Sequence, residues 1–547
     1  MKHIAYALLF LCAATAIASP AQTFTTLNSF NDTDGANPYA GLVQATNGDF
    51  YGTTYSGGAN DEGTVFTITP SGTLTTLYSF CSQSGCTDGA NPYAGLVQAT
   101  NGDLYGTTYS GGANDAGTVF TITPSGTLIT LHSFDLTDGA YPEAALIQAT
   151  NGDLYGITSQ DGPNGYGTVF EITPSGTLTT LHSFDYFTDG AYPYAGLVQA
   201  TNGDLYGTTS LGGADNFGTV FKITPSGTLI TLHSFGFAGY PTDGAFPEAG
   251  LIQATNGNLY GTTSQGAAND HGTVFKITPS GKLTTLYNFC SQSNCTDGAN
   301  PYAELVQATN GDLYGTTVDG GGANNFGTVF KITPSGKLTT LYNFCSQSNC
   351  TDGAKPYAGL VQATNGDLYG TTYEDGAHNF GTVFRLSVGL GPFVETLPAS
   401  GQEGANIGIL GQGFSSSSVV KFGGTEATTI VLSGTTFITA TVPAGALTGS
   451  VTVTTGTTTL TSAKTFKVLP TITSFAPASG PVGTSVTITG TGLQQATKVT
   501  FDGKSATFTV ISDSEVTAEV PTGAATGKIA VTTKGGSHTS ATRFTVN

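Results

Sequence analysis

Residues 42–49, LVQATNGD, decide the fold, because near-copies of this stretch begin again at Leu96, Leu146, Leu197, Leu251, Leu305 and Leu360. Successive copies are 54, 50, 51, 54, 54 and 55 residues apart. A period of this length marks a supersecondary unit that must stack on its neighbours to bury its faces. Outward from the first copy, four strands are predicted, at 42–46, 49–54, 63–69 and 73–80, all rich in Val, Thr, Tyr and Phe. Asn47-Gly48 joins the first two and predicts a type I′ turn, in which both residues take a positive φ. Pro70-Ser71-Gly72 joins the last two, with proline presetting one φ and glycine accepting another. Each unit is therefore an antiparallel meander.

Counting the pieces separates a ring from an open stack. The GTVF strand occurs seven times, at Gly63, Gly117, Gly167, Gly218, Gly272, Gly327 and Gly381, but the Pro-Ser-Gly turn occurs six times and is missing after the last. The outer strand also occurs seven times, its first copy, TFTTLNSF at 23–30, standing ahead of the first full repeat. The economical solution pairs residues 23–30 with 381–387. The fold class predicted is all-β: a seven-bladed β-propeller closed by an N-terminal strand, which hides the edges an open array would expose. A β-solenoid is the competitor and leaves the offset strand unexplained.

The string NPYAGLVQATNGDLYGTTYSGGANDAGTVFTITPSGTLITLHSF, together with its relatives over about 23–390, resembles the bacterial tandem-repeat family called GloVer. The resemblance implies an exported or surface location and no established activity. The remainder is similar to two IPT/TIG domains, which are immunoglobulin-like sandwiches. The first carries VVKFGG and ITATVPAGALTGSVTVTT, the second KVTFDGK and VTAEVPTGAATGKIAVTT. The organisation expected is a signal peptide at 1–21, the propeller at 22–390, and IPT/TIG domains at 391–469 and 470–547. Such sandwiches serve as spacers or partner contacts.

The opening MKHIAYALLFLCAATAIASPAQ has a basic start, an apolar stretch and small residues at Ala16, Ala18 and Ala21, the pattern of an export signal. No later apolar run is long enough for a membrane span, so the mature protein is expected to be secreted or held at the cell surface. Six cysteines remain after Cys12 leaves. They form three matched pairs, Cys81/Cys86, Cys290/Cys295 and Cys345/Cys350, predicted as loop disulfides in an oxidising compartment. A formal charge of −20 repels phosphate backbones and argues against nucleic-acid partners.

The residue after the loop proline in each repeat is Tyr39, Tyr93, Glu143, Tyr194, Glu248, Tyr302 or Tyr357. We expect this ring to line the channel mouth and to stack on sugars or similar ligands; packing between blades is the plainer reading. Glu143 and Glu248 could form a carboxylate pair of the kind that hydrolyses glycosides, but their separation is not fixed by sequence. TDG recurs in every repeat as a turn former. Its first setting, NDTDG at 31–35, has oxygen ligands close enough for a calcium loop, although the later ligand positions are missing. No other cofactor is expected. His132, His182 and His233 occupy outer-strand positions held elsewhere by Tyr and read as solvent-facing or packing residues. With no nucleophile elbow and near-identical repeats, the sequence favours a non-enzymatic binding or adhesion protein with an extracellular polymer or surface protein as partner. A polysaccharide-cleaving enzyme is the alternative.

Overall fold

The computed structural model describes residues 22–236, 242–322 and 325–547; the predicted export signal lies outside them. The chain is all-β and propeller-like. The first repeat forms β2 (Val43–Gln44), β3 (Phe50–Thr54), β4 (Thr64–Ile68) and β5 (Leu74–Ser79), hydrogen-bonded in that order into a four-stranded antiparallel sheet. Five further sheets repeat this arrangement. In a seventh, Val361–Gln362, Leu368–Thr372 and Thr382–Ser387 are completed by β1 (Thr23–Ser29) from the other end of the chain. β1 runs antiparallel to its partner, Thr23 opposite Ser387 and Ser29 opposite Thr382.

Both faces of each sheet are covered, which explains why β3 is buried at all five residues instead of alternating. The core is divided into layers between successive sheets. Tyr51, Val65 and Phe80 of the first repeat pack on Leu104, Phe120 and Ile122 of the second, and Phe50, Phe66 and Ile68 pack on Tyr369 and Val383 of the last. Gly52 sits in the middle of β3 because a Cβ there would meet Phe66 Cζ at 2.7 Å and Leu42 Cδ2 at 2.8 Å.

A belt of side-chain bonds also joins the sheets. Gln98 Oε1 accepts from Thr46 N, and the same Gln-to-Thr bond recurs at Gln148, Gln199, Gln253, Gln307 and Gln362, all at 2.8–2.9 Å. The seventh member returns to the start, Gln44 Oε1 accepting from Thr364 N at 2.9 Å.

The turns differ from the sequence expectation. Asn47 does not take a positive φ; Gly48 does, at 90°. Gly48 N bonds Ala45 O at 2.8 Å and Ala45 N bonds Asp49 O at 2.9 Å, so the loop has three residues, a turn closed by a glycine bulge. Asn47 instead spends its side chain locally: Oδ1 accepts from Asp49 N at 3.1 Å and Nδ2 donates to the buried Tyr51 hydroxyl at 3.0 Å. That bond satisfies the one polar atom of a ring otherwise sunk in the core.

Beyond residue 391 two further cores form. Glu395–Leu397, Asn406–Leu410, Phe437–Thr441 and Ile430–Ser433 make one sheet, facing a second built on Val419–Phe422 and Val451–Thr455. Ile407, Phe422, Ile438 and Phe466 lie between them. Thr471–Ala476, Ser485–Thr491, Glu515–Glu519 and Phe508–Ser512 repeat the order, with Ile488, Phe501, Val516 and Phe544 inside. The first of these units rests on the repeat domain: Thr436 Oγ1 donates to Asn47 O at 3.1 Å and Phe393 N to Thr364 O at 3.0 Å.

Candidate functional site

In every repeat the loop leading to the inner strand is tied to the loop after the second strand by a backbone bridge; in the first, Ala36 N donates to Ser56 O at 2.8 Å and Ser56 N to Ala36 O at 3.1 Å. The next residue is left-handed whatever its type: Asn37, Asn91, Tyr141, Tyr192, Phe246, Asn300 and Lys355 all have φ between 53° and 56°. For residues with a Cβ this conformation is strained, and bulky side chains hold it only where the surroundings enforce it. Here the enforcement comes from the preceding sheet, where Phe380 O accepts from Asn37 N at 2.9 Å. The kink and the proline that follows aim the next side chain inward.

Those next side chains meet. Tyr39, Tyr93, Glu143, Tyr194, Glu248, Tyr302 and Tyr357 all line one central cavity of about 720 Å³, and all seven are half-buried. They are not evenly mixed. Tyr39 stacks on Tyr93 with centroids 4.1 Å apart and lies 5.0 Å from Tyr357, which in turn is 5.5 Å from Tyr302. This aromatic arc is backed by Tyr373, 4.4 Å from Tyr39. The opposite arc carries Glu143, Tyr194 and Glu248. Ser159 Oγ donates to Glu143 Oε1 at 2.9 Å and Ser210 Oγ to Glu248 Oε1 at 3.4 Å.

Burial dominates the electrostatics. It pushes the Glu143 carboxyl up to about 7 against the opposing serine bond, and Glu248 likewise to about 7, with the Glu143 charge adding to the rise. Tyr39 and Tyr93 are driven well above the usual phenol range by the same desolvation, and Tyr194 to about 12. At neutral pH the site therefore presents phenol hydroxyls and carboxyls poised to keep or lose a proton.

One lining residue escaped the sequence reading. Glu304 stands where the other repeats have Gly41, Gly95, Ala145, Gly196, Gly250 and Gly359. Its side chain is exposed in the cavity, and the protein packed around it raises its carboxyl. The signal is a single acidic break in a column of small residues, two places beyond the residue that follows the loop proline.

The TDG aspartates do more than turn the chain. Asp88 is fully buried, and its carboxylate accepts from Tyr78 OH at 2.7 Å, Ser82 N at 2.9 Å, Ser82 Oγ at 2.8 Å and Gln83 N at 3.2 Å. Burial pushes this group up, but the Tyr78 and Ser82 bonds outweigh it and hold it below the usual aspartate range. In three of the four repeats without cysteines a histidine takes the tyrosine's place, and His132–Asp138, His182–Asp189 and His233–Asp243 pair at 2.7 Å; the first outer strand has Asn28 there. Each imidazole also packs edge-on against a buried phenylalanine, as His132 does against Phe134 at 5.0 Å, so to the packing read from sequence the structure adds an anchor for the loop that follows each strand. In the first TDG loop, Asn31 Oδ1 accepts from Thr33 N, Thr33 Oγ1 and Asp34 N, so that oxygen serves its own turn.

Disulfides join Cys81–Cys86, Cys290–Cys295 and Cys345–Cys350. Among the described residues, one group of metal-ligating types converges, His271 with Cys290 and Cys295, and its sulfurs are spent on the disulfide. Each disulfide closes a short loop that the buried aspartate already braces. Replacing Cys81 and Cys86 by serine is expected to lower stability by about 2 kcal/mol, measurable by denaturant unfolding, with the central cavity unchanged. Among the described residues no helix is long and apolar enough to cross a membrane.

The IPT/TIG domain model matches residues 470–546. Together with the disulfides, it fits an extracellular protein. No curated protein matches the chain. Among solved structures, a fungal alcohol oxidase of the AA5 family in complex with copper is similar at 11% identity and TM-score 0.43, covering 96% of this chain and 99% of that one. A putative 6-phosphogluconolactonase from Bacteroides fragilis is similar at 18% identity and TM-score 0.38, covering 60% and 86%. SGBP-B from a xyloglucan utilization locus of Bacteroides uniformis gives 23% identity and TM-score 0.15 over 28% and 48%. At such TM-scores these likenesses carry nothing about activity. The Gloeobacter/Verrucomicrobia repeat model matches in five overlapping segments, 15–203, 84–261, 148–384, 237–437 and 294–507, and on that span the chain belongs to the Gloeobacter/Verrucomicrobia repeat family.

Proposed function

We propose that the chain is an exported, non-enzymatic binding or scaffold protein. In this reading residues 22–390 form a closed seven-bladed propeller whose channel mouth takes a hydroxyl-rich ligand, a carbohydrate or cell-surface polymer. Sandwiches of IPT/TIG type at 391–469 and 470–547 act as stalk or partner contacts. The observation that carries the reading is the convergence of five tyrosines and two glutamates, one from each repeat, on a single cavity. Aromatic faces suit the apolar faces of sugar rings, while phenols and carboxyls offer donors and acceptors to hydroxyl groups. The repeat and IPT/TIG domains also support a binding role.

The test is a glycan array followed by titration calorimetry on the mature protein. Tyr39→Ala and Tyr93→Ala are each expected to weaken binding about tenfold or more, with the fold intact by circular dichroism. Absence of binding to every polymer and cell surface tried would count heavily against the proposal.

A polysaccharide hydrolase is the second reading, favoured by Glu143 and Glu248 opening on one cavity. Against it, such enzymes push their two carboxyls apart, one kept protonated and one ionised. Here burial moves both the same way. Hydrolysis lost on Glu143→Gln or Glu248→Gln would restore it.

A further inference from the structure

We propose that the ligand of this mouth is cationic, an amino-sugar polymer whose free ammonium groups meet the glutamates while its ring faces lie on the tyrosine arc. The inference rests on the binding reading above and narrows it. Three glutamates line the cavity, Glu143, Glu248 and Glu304, and no Lys, Arg or His does among the described residues. None of the three takes part in an ion pair there. The lysines and the arginine of the repeats that form ion pairs do so elsewhere, as Lys222 does with Asp204, Lys355 with Asp319 and Arg385 with Asp367.

The half-buried Glu143 and Glu248, without a counter-charge, are costly to ionise, and a cation delivered by a ligand removes that cost. Glu304 sharpens the case. A Cβ added to Gly250 would stand 3.0 Å from Glu304 Oε2, and one on Gly359 would stand 3.1 Å from Glu304 Cγ. The acidic side chain is thus seated between two residues that have no side chain of their own. Tyrosine faces attract ammonium groups through the ring quadrupole, so both arcs of the cavity favour the same charge. A volume of about 720 Å³ exceeds what a lone small amine fills and suits a short run of sugar rings. The chain's formal charge of −20 draws such a polymer in from a distance.

The experiment is titration calorimetry of the mature full-length protein with fully deacetylated chitotetraose, its N-acetylated neutral counterpart and spermidine, at mildly acidic pH, where the oligomer's amines are protonated, and at low and high salt. The expected result is at least about tenfold tighter binding of the deacetylated oligomer than of the other two, with the advantage shrinking as salt rises. Glu304→Gln is expected to weaken the deacetylated oligomer about tenfold and to leave the neutral one unchanged. Glu304→Gly, which restores the residue common to the other repeats, serves as a second variant whose folding is secured by them. Equal or tighter binding of the neutral oligomer overturns the charge assignment while leaving the carbohydrate reading standing. Spermidine binding as tightly as the oligomer overturns the amino-sugar assignment, as does indifference to both Glu304 variants. Binding of none of the three overturns this inference and counts against the binding reading with it.

Discussion

A chain lacking residues 22–30 is expected to lose its cooperative fold and to aggregate, even though every complete repeat remains. The deletion removes β1, leaving the backbone of Thr382–Ser387 as an unpaired edge in the last sheet. Edges of this kind recruit other chains. It also removes Phe30, which is fully buried beside Phe66 at 5.2 Å between centroids. Phe24 goes too, and it stacks on Tyr342 at 3.9 Å and on Phe384 at 5.3 Å. Losing one buried phenylalanine costs about 3–5 kcal/mol, against a typical total stability of about 5–15 kcal/mol. Size-exclusion chromatography and near-ultraviolet circular dichroism report the outcome. Grafting TFTTLNSF after Ser387 through a short turn should restore a monomer, because the strand's place in the sheet matters and its place in the sequence does not. A truncated chain that stays monomeric with an unchanged melting temperature would contradict the pairing.

The second large effect is on stability as pH rises from acid to neutral. A free glutamate loses its proton near 4.5, whereas Glu143 and Glu248 hold theirs to about 7. Between those values the folded chain keeps protons that the unfolded chain has released, so folding becomes less favourable as pH rises through the window. Below it the two groups cost nothing. A shift of this size is worth about 3 kcal/mol per group in full, and access of solvent through the mouth reduces it to about 1–2 kcal/mol. The Glu143→Gln/Glu248→Gln variant should therefore match the parent at pH 4 and exceed it by about 2–4 kcal/mol at pH 8. Chemical denaturation at both values measures this. A difference that does not vary with pH would refute the burial argument. The depressed aspartates such as Asp88 act in the opposite sense, but they are common to both proteins and cancel.

These cases show where sequence reasoning reached and where it stopped. The partnership of β1 with Thr382–Ser387 was legible because counting alone leaves one outer strand spare at the start and one place vacant at the end. The inward ring of Tyr39 and its equivalents was legible because a repeat puts equivalent residues in equivalent places. The turn at Asn47-Gly48 was misjudged because the dipeptide does not reveal that Thr46 is also in the loop. The bonds of Gln44 and its counterparts run to the next sheet, so no single repeat contains both partners. His132 and Asp138 lie six residues apart, but their meeting depends on how the loop doubles back. Glu304 is legible only as an acidic break in a column of glycine and alanine, two places beyond the residue that follows the loop proline.

Tyr39 and Gly48 stand at opposite ends of the same inner strand, and it is the Gly48 end that the unit beyond residue 391 grips, through Thr436 at Asn47. Whatever takes hold of the units beyond residue 391 would thus leave the tyrosine opening facing outward, turned from its mounting toward the surrounding medium.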